Sequence, residues 1–352
     1  MWPRHDLSEL LGVSHPIIQA PMAGASTPEM AAAVANAGGL GSLGCARMSP
    51  DQLREQVGKT RAATNGAINL NFFCHPAPVI DDTVAARMRE RLAAYYAEFE
   101  LGDVPHARPE GPGFDDAKLE AVLALVPRMV SFHFGLPEPS AVSALKAAGS
   151  VVLSSATTVE EAIWLQEAGA DVVIAQGFEA GGHRGTFAGP MSTGEIGTMA
   201  LVPRVVDAVD VPVIAAGGIA DGRGIAAAFA LGAAGVQIGT AFLSTPEASI
   251  NPRHREILTQ GRETRLTRAT SGRPARGVIN RYLDEMANAE PVAFPAQLQL
   301  SGPLSAAAAK AGSSEFHALW SGQAAALNRS LPAGELVALL VEETKAIFEA
   351  ST

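Results

Sequence analysis

Three stretches of the chain repeat one scheme: a short apolar run, a loop of small residues, an alanine-rich segment with helical spacing, a glycine stop and a second apolar run. They read PIIQAPMAGASTPEMAAAVANAGGLGSLG from residue 16, VVLSSATTVEEAIWLQEAGADVVIAQG from residue 151 and PVIAAGGIADGRGIAAAFALGAAGVQIGT from residue 212. The apolar runs start about every 21 to 23 residues, the period of a βα unit with short loops. Ala162, Leu165 and Ala168 fall on one helical face, behind an acidic first turn at Glu160 and Glu161. Val172–Ala175 is continuously apolar, as parallel strands buried on both faces are.

Eight strands are expected, at Ile17–Ala20, Leu40–Leu43, Ile68–Asn71, Met129–Phe132, Val151–Ser154, Val172–Gln176, Val213–Ala216 and Gly235–Ile238. Eight βα units in a chain of this length predict an α/β fold of the (β/α)8 TIM-barrel type rather than a doubly wound sheet. Two stretches fall outside the repeat. Residues 72–128 form a long excursion holding the charged helix DDTVAARMRERLAAYYAEFE, and residues 251–312 read as a small, mostly helical cap after the eighth strand. The expected division is a barrel over 1–250 and 313–352, its outer ring closed by the amphipathic C-terminal helix AGELVALLVEETKAIFEAS, with the cap on the substrate side.

Composition narrows the function. Of 352 residues, 47 % are hydrophobic and 18 % charged, enough for a large core. A net charge of −10 disfavours a nucleic-acid partner, because phosphate contacts need clustered Lys and Arg. No run of about 18 apolar residues is present to span a bilayer, and MWPRHDLSELLG lacks the basic-then-apolar pattern of a signal peptide. Cys45 and Cys74 are too few for a disulfide framework, and no ligand spacing suggests a metal. A cytoplasmic protein with reduced thiols is expected.

Barrel enzymes place their chemistry at the C-terminal ends of the strands. There the chain carries QAPMAG, NLNFFCH, VSFHFG, SSATT, AQGFEAGGH, AAGGI and QIGT in order. Gly217, Gly218, Gly239 and Thr240, after strands seven and eight, can hold a phosphate on backbone amides and a hydroxyl; tight βα turns are the alternative. That phosphate would belong to a phosphorylated substrate or to FMN. Pro21 and Met22 offer a rigid wall for a flat ring, with simple packing as the alternative. Asn71 and Gln176 bring amides that could meet isoalloxazine carbonyls and nitrogens, or satisfy loop backbone instead. His183, among Gly181, Gly182 and Gly185, can face a ligand that the backbone approaches closely, or is incidental to a simple turn; His133 points toward the mouth as a second polar contact, or is a bonded core histidine.

At these residues the chain resembles the nitronate monooxygenases, once called 2-nitropropane dioxygenases, over nearly its whole length. NFFCH and SFHFGLP are similar to the bacterial class I branch, while EAGGH also resembles flavin-dependent enoyl-ACP reductases. The resemblance implies an FMN-dependent barrel with Asn71, Gln176, Gly181, Gly218, Gln237, Ile238, Gly239 and Thr240 on FMN and His183 as catalytic base. It implies oxidation of an alkyl nitronate, such as propionate 3-nitronate, by dioxygen to a carbonyl compound and nitrite. The partners are then a small nitronate and O2, with a homodimer left open, and neither nucleic acid nor membrane. It also implies aromatic residues from the cap around the substrate, for which the chain's tyrosines are Tyr95, Tyr96 and Tyr282. A flavin-dependent NAD(P)H reductase of quinones or enoyl-ACP, and a catalytically idle flavin- or phosphate-binding protein, are the competing readings.

Overall fold

The apolar runs form eight parallel strands: β1 (Ile17–Gln19), β2 (Gly41–Gly44), β3 (Ile68–Phe73), β4 (Met129–His133), β5 (Val151–Ala156), β6 (Val172–Gln176), β7 (Val213–Ala216) and β8 (Gly235–Ile238). The computed structural model describes residues 2–350; Met1, Ser351 and Thr352, which the expected barrel boundaries include, lie outside the described residues. Strand order around the sheet is β1-β8-β7-β6-β5-β4-β3-β2. The ring closes where Leu40 N donates to the Ile17 carbonyl at 2.9 Å and Gln19 N to the Leu40 carbonyl at 3.0 Å. This is a TIM barrel, and the expected strand limits match to within two residues.

Alternation along each strand separates two cores. Ile18, Met129, Leu153, Val172, Ile174 and Ile214 fill the interior with Leu7 and Leu11 of the N-terminal helix Asp6–Leu11. Val173, Ala175, Val213, Ala215, Val236 and Ile238 face the outer helices instead. The helix Ala333–Ala350 adds Leu336, Val337 and Leu340 to that outer core, packing on helices Pro28–Asn36 and Gly222–Ala230. It completes the helical ring as its amphipathic pattern predicts.

Small polar residues just past the strands start the following helices. Thr27, Ser49, Thr158 and Asp221 each accept a first-turn backbone N–H from the helix that follows. Part of the polarity at the strand ends is therefore helix capping, which fixes where each loop must turn.

The excursion after β3 and the segment after β8 share a second core. Met88, Leu92, Tyr95 and Tyr96 of helix Asp82–Glu98 pack against Tyr282, Leu283, Leu300, Leu304 and Phe316. The later segment also contains strand: Thr264–Thr267 pairs antiparallel with Ala275–Val278, which pairs with the two-residue strand Gly182–His183. Through that last pairing the loop after β6 is tied to the cap.

Leu340 is fully buried between the C-terminal helix and the barrel. Leu340→Ala is expected to lower unfolding free energy by about 2–4 kcal/mol through lost burial and a residual cavity. Urea titration of the cofactor-free protein measures this; a loss below about 1 kcal/mol would show that the C-terminal helix is dispensable to the ring.

Candidate active site

A cavity of about 1130 Å³ opens at the C-terminal mouth of the barrel. Single-ligand sites run to about 1,000 Å³, so this volume suits a cofactor and a substrate together. Its wall includes Pro21, Met22, Asn71, His133, Gln176, Gly181, His183, Gly217, Gly218, Gln237, Gly239 and Thr240. Of the residues assigned to the cofactor, the substrate or catalysis from the sequence, only Ile238 is absent from the wall: alternation turns it into the outer core, 1 % exposed, and its carbonyl accepts from Ala20 N.

The chain after β6 is shaped by a buried guanidinium. Arg184, 3 % exposed, donates to the Gln176 side-chain oxygen and to the carbonyls of Gln176, Gly177 and Gly194. Burial lowers its pKa to about 10, which still leaves it charged at neutral pH. Gln176 Oε1 also accepts from Gly185 N at 2.8 Å, and its Nε2 donates to the His183 carbonyl at 3.0 Å. Gln176 thus holds the loop, with one N–H left over. Glu161, fully buried, accepts from the backbone of Thr157, Phe187 and Ala188 and fixes the loop's far end.

Close packing explains two of the three glycines around His183. A Cβ on Gly181 would come within 2.5 Å of Gly322 N, and one on Gly185 within 3.0 Å of His133 Cε1. Gly182 differs: its φ is +71° and a Cβ there would meet nothing within 4 Å. Its backbone conformation, not close packing, accounts for glycine there.

His183 faces the cavity. Ser271 Oγ donates to the Arg273 carbonyl at 3.2 Å and accepts from His183 Nε2–H at 2.8 Å. That pattern leaves the lone pair on Nδ1, which has no partner among the described residues. Burial, and then the charges of His133, Arg273 and Arg47, hold its pKa down to about 3, so the ring is neutral. His133 Nε2 donates to the His183 carbonyl at 3.1 Å, and burial lowers its pKa to about 4. His133 therefore positions the loop as well as lining the mouth.

The aromatic enclosure comes from unexpected residues. Phe73, Phe294 and Trp320 line the cavity with ring centroids 6.0, 5.5 and 5.6 Å from His183. Tyr95, Tyr96 and Tyr282 are buried in the second core instead, their hydroxyls bonded to Glu285, Leu300 and Ala269. Counting tyrosines missed the wall because Phe294 and Trp320 lie in segments without strand or helix periodicity. The partial signal for Trp320 was its place in LWSGQAA, whose Gly322 packs on Gly181.

Elsewhere in the wall, the amides of Gly218 and Gly239 have no acceptor among the described residues. Gly217 and Gly218 adopt φ of +106° and +72°, conformations that disfavour other residues. Thr240 Oγ1 accepts from Gly322 N at 2.9 Å, leaving its hydrogen to donate. Asn71 gives both N–H groups to Ser131, at 2.9 and 3.2 Å, and keeps Oδ1 unpaired toward the cavity; the Gln237 amide is unpaired as well.

The chain has known relatives along nearly its whole length. A family model described as nitronate monooxygenase matches residues 4–343. The chain belongs to the nitronate monooxygenase family. It is 45 % identical to the nitronate monooxygenase of Paraburkholderia phytofirmans, over 97 % of this chain and 96 % of that protein. It is likewise 45 % identical to that of Pseudomonas aeruginosa, over 96 % of this chain and 98 % of the other. Among solved structures it is similar to nitroalkane oxidase from Streptomyces ansochromogenes, with a TM-score of 0.92, 41 % identity and coverage of 98 % and 99 %. FabK from Thermotoga maritima superposes less closely, with a TM-score of 0.75, 32 % identity and coverage of 99 % and 98 %. This nitronate monooxygenase family member is an oxidoreductase of a flavin enzyme family. Among the described residues no helix is long and apolar enough to cross a membrane.

Two outcomes test the geometry. Glu161→Gln turns an acceptor-only carboxylate into a group with an NH2 facing backbone donors, and is expected to cost about 2–4 kcal/mol and speed proteolysis after Phe187. An unaltered cleavage pattern would show that Glu161 does not secure the loop. The depressed pKa values mean that the unfolded chain binds more protons than the folded one below about pH 6.5. The two histidines therefore make the protein lose stability as pH falls from about 6.5 toward 4 and have no effect above that window. In histidine-labelled NMR both rings should remain neutral from pH 8 to 5; a midpoint near 6.5 for either contradicts the burial described.

Proposed function

We propose that the protein is an FMN-dependent nitronate monooxygenase that oxidises alkyl nitronates with O2 to carbonyl compounds and nitrite. The observation that carries this reading is the neutral His183 imidazole, its Nδ1 unpartnered, in the same cavity as unpaired amides suited to a phosphate and a polar ring. The residues present fit FMN: Gly218 and Gly239 amides and the Thr240 hydroxyl suit its phosphate, while Asn71 Oδ1 and the Gln237 amide suit the donors and acceptors of its ring. Pro21, Met22, Gly181, Gly217 and the spare Gln176 N–H would complete the cradle, with Ile238 contributing backbone alone. Bound FMN supplies the electron-transfer chemistry with dioxygen.

The chain's own groups bind, orient and move a proton. Neutral His183 can take the α-proton of a nitroalkane on Nδ1, and the resulting imidazolium would sit against the nitronate anion. Ser271 holds Nε2–H, and His133 with Gln176 holds the His183 backbone, so the base is fixed at both ends. Phe73, Phe294 and Trp320 exclude water around the reacting carbon and strengthen the polar contacts that remain. For a preformed nitronate no proton need be removed, and His183 then serves only to position the substrate. The stretch 251–312 would act as the substrate-side subdomain, and the free thiols of Cys45 and Cys74 agree with a cytoplasmic site of action.

The competing reading is a flavin-dependent NAD(P)H reductase of quinones or enoyl-ACP. It is favoured by the Glu179–His183 loop, which lines this same cavity and resembles that of flavin-dependent enoyl-ACP reductases. Anaerobic mixing of the FMN-loaded protein with NADH separates the two, since rapid flavin bleaching supports the reductase. His183→Asn is expected to slow nitrite release from neutral nitroalkanes by about 10²-fold or more, with FMN affinity changed by less than about three-fold. Nitrite assays and flavin fluorescence measure both; unchanged nitroalkane kinetics would remove His183 from the base role.

A further inference from the structure

Five residues with formal charge line the cavity: Arg47, Glu110, Asp115, Lys118 and Glu179. Four are engaged by the fold. Glu110 accepts from Gln299 Nε2 at 2.8 Å, and Asp115 caps its helix by accepting from Lys118 N at 2.9 Å. Lys118 Nζ donates to the Gly113 carbonyl at 2.7 Å, and Glu179 accepts from Thr198 N and Oγ1. Arg47 alone of the five makes no hydrogen bond or ion pair among the described residues.

Its position is specific. Arg47 follows β2 and His183 follows β6, and these strands stand opposite each other in an eight-stranded ring. The phosphate-type amides follow β7, the neighbour of β6, and β8, midway between β6 and β2 around the ring. The Arg47 guanidinium lies beside Gly24, with Nη2 3.5 Å from where a Cβ would be, and its charge reaches His183 across the mouth. A protein of net charge −10 repels an anionic ligand at long range, so an unpaired cation at the rim is the local feature that draws one in.

We propose that Arg47 is a specificity-determining residue whose guanidinium receives a second anionic group, such as a carboxylate, carried by the substrate away from its nitronate carbon. This rests on the nitronate reading of the His183 site and adds what recognises the substrate's other end. A guanidinium pairs with a carboxylate through two parallel N–H donors, and all those of Arg47 are free to do so. The contact is made in ground state and transition state alike, so it acts on KM more than on kcat.

The test compares wild type, Arg47→Met and Arg47→Lys on propionate 3-nitronate and on butyl 1-nitronate, which lacks the carboxylate. The ratio of the two kcat/KM values is expected to fall at least about ten-fold in Arg47→Met, chiefly through KM, and to recover in part in Arg47→Lys. The salt dependence of the carboxylate substrate should flatten in Arg47→Met. In parallel, binding of 3-nitropropionate and 1-nitrobutane to the FMN-loaded proteins is followed by calorimetry. A wild-type preference for 3-nitropropionate that Arg47→Met abolishes supports the proposal even if no nitronate is oxidised, an outcome that would sink the monooxygenase reading alone. A ratio and a binding preference unchanged within two-fold overturn the proposal while leaving nitrite release intact. Loss of FMN affinity to the same extent as loss of substrate affinity also overturns it, because the guanidinium would then serve the cofactor.

Discussion

The site depends on one buried cation. Arg184 sits at the end of β6 with its guanidinium surrounded by carbonyl oxygens from Gln176, Gly177 and Gly194 and by the Gln176 side chain. A buried guanidinium is tolerable only when its donors are met, so these oxygens must converge on it. That convergence turns the chain back over the barrel mouth immediately after the strand. His183, the preceding residue, is thereby delivered to the cavity, and its own carbonyl is clamped by Gln176 and His133.

The same turn joins the barrel to the segment after β8. Gly182–His183 pairs with Ala275–Val278, and Ser271, a few residues earlier, meets the imidazole. His183 is therefore supported from two sides, by β6 through side-chain bonds and by the later segment through strand pairing. Burial against Phe73, Phe294 and Trp320 keeps the ring neutral, which leaves the Nδ1 lone pair available while lowering its basicity. One cavity thus has two kinds of wall, unpaired amides at Gly218 and Gly239 and apolar rings around His183.

Much of the barrel was legible because it rests on local rules. Strand period, helix spacing and glycine stops recur in units short enough to read directly, and residues at the strand ends must face the mouth whatever lies elsewhere. Alternation also explains Ile238: it is adjacent to Gln237 and Gly239 in the motif but points to the opposite side of the sheet. Gln176 was open between ring contact and loop support, and the loop takes most of its bonding capacity. That outcome turns on Arg184, whose burial nothing in the local sequence announces. Helix Asp82–Glu98 and residues 282–316 meet in one core although nearly two hundred residues separate them, a pairing that no local pattern encodes.

The sequence by itself determined the barrel, the order of its loops, and which residues stand at the mouth, because backbone periodicity and chain direction decide these within each unit. Tertiary structure alone decided that Phe294 and Trp320 enclose His183, that Ser271 holds its Nε2, and that Arg47 is the one formally charged wall residue without a partner among the described residues. Those facts come from contacts between distant segments, where the choice of neighbour depends on packing and on satisfying buried donors. They could not be read from any window of the chain.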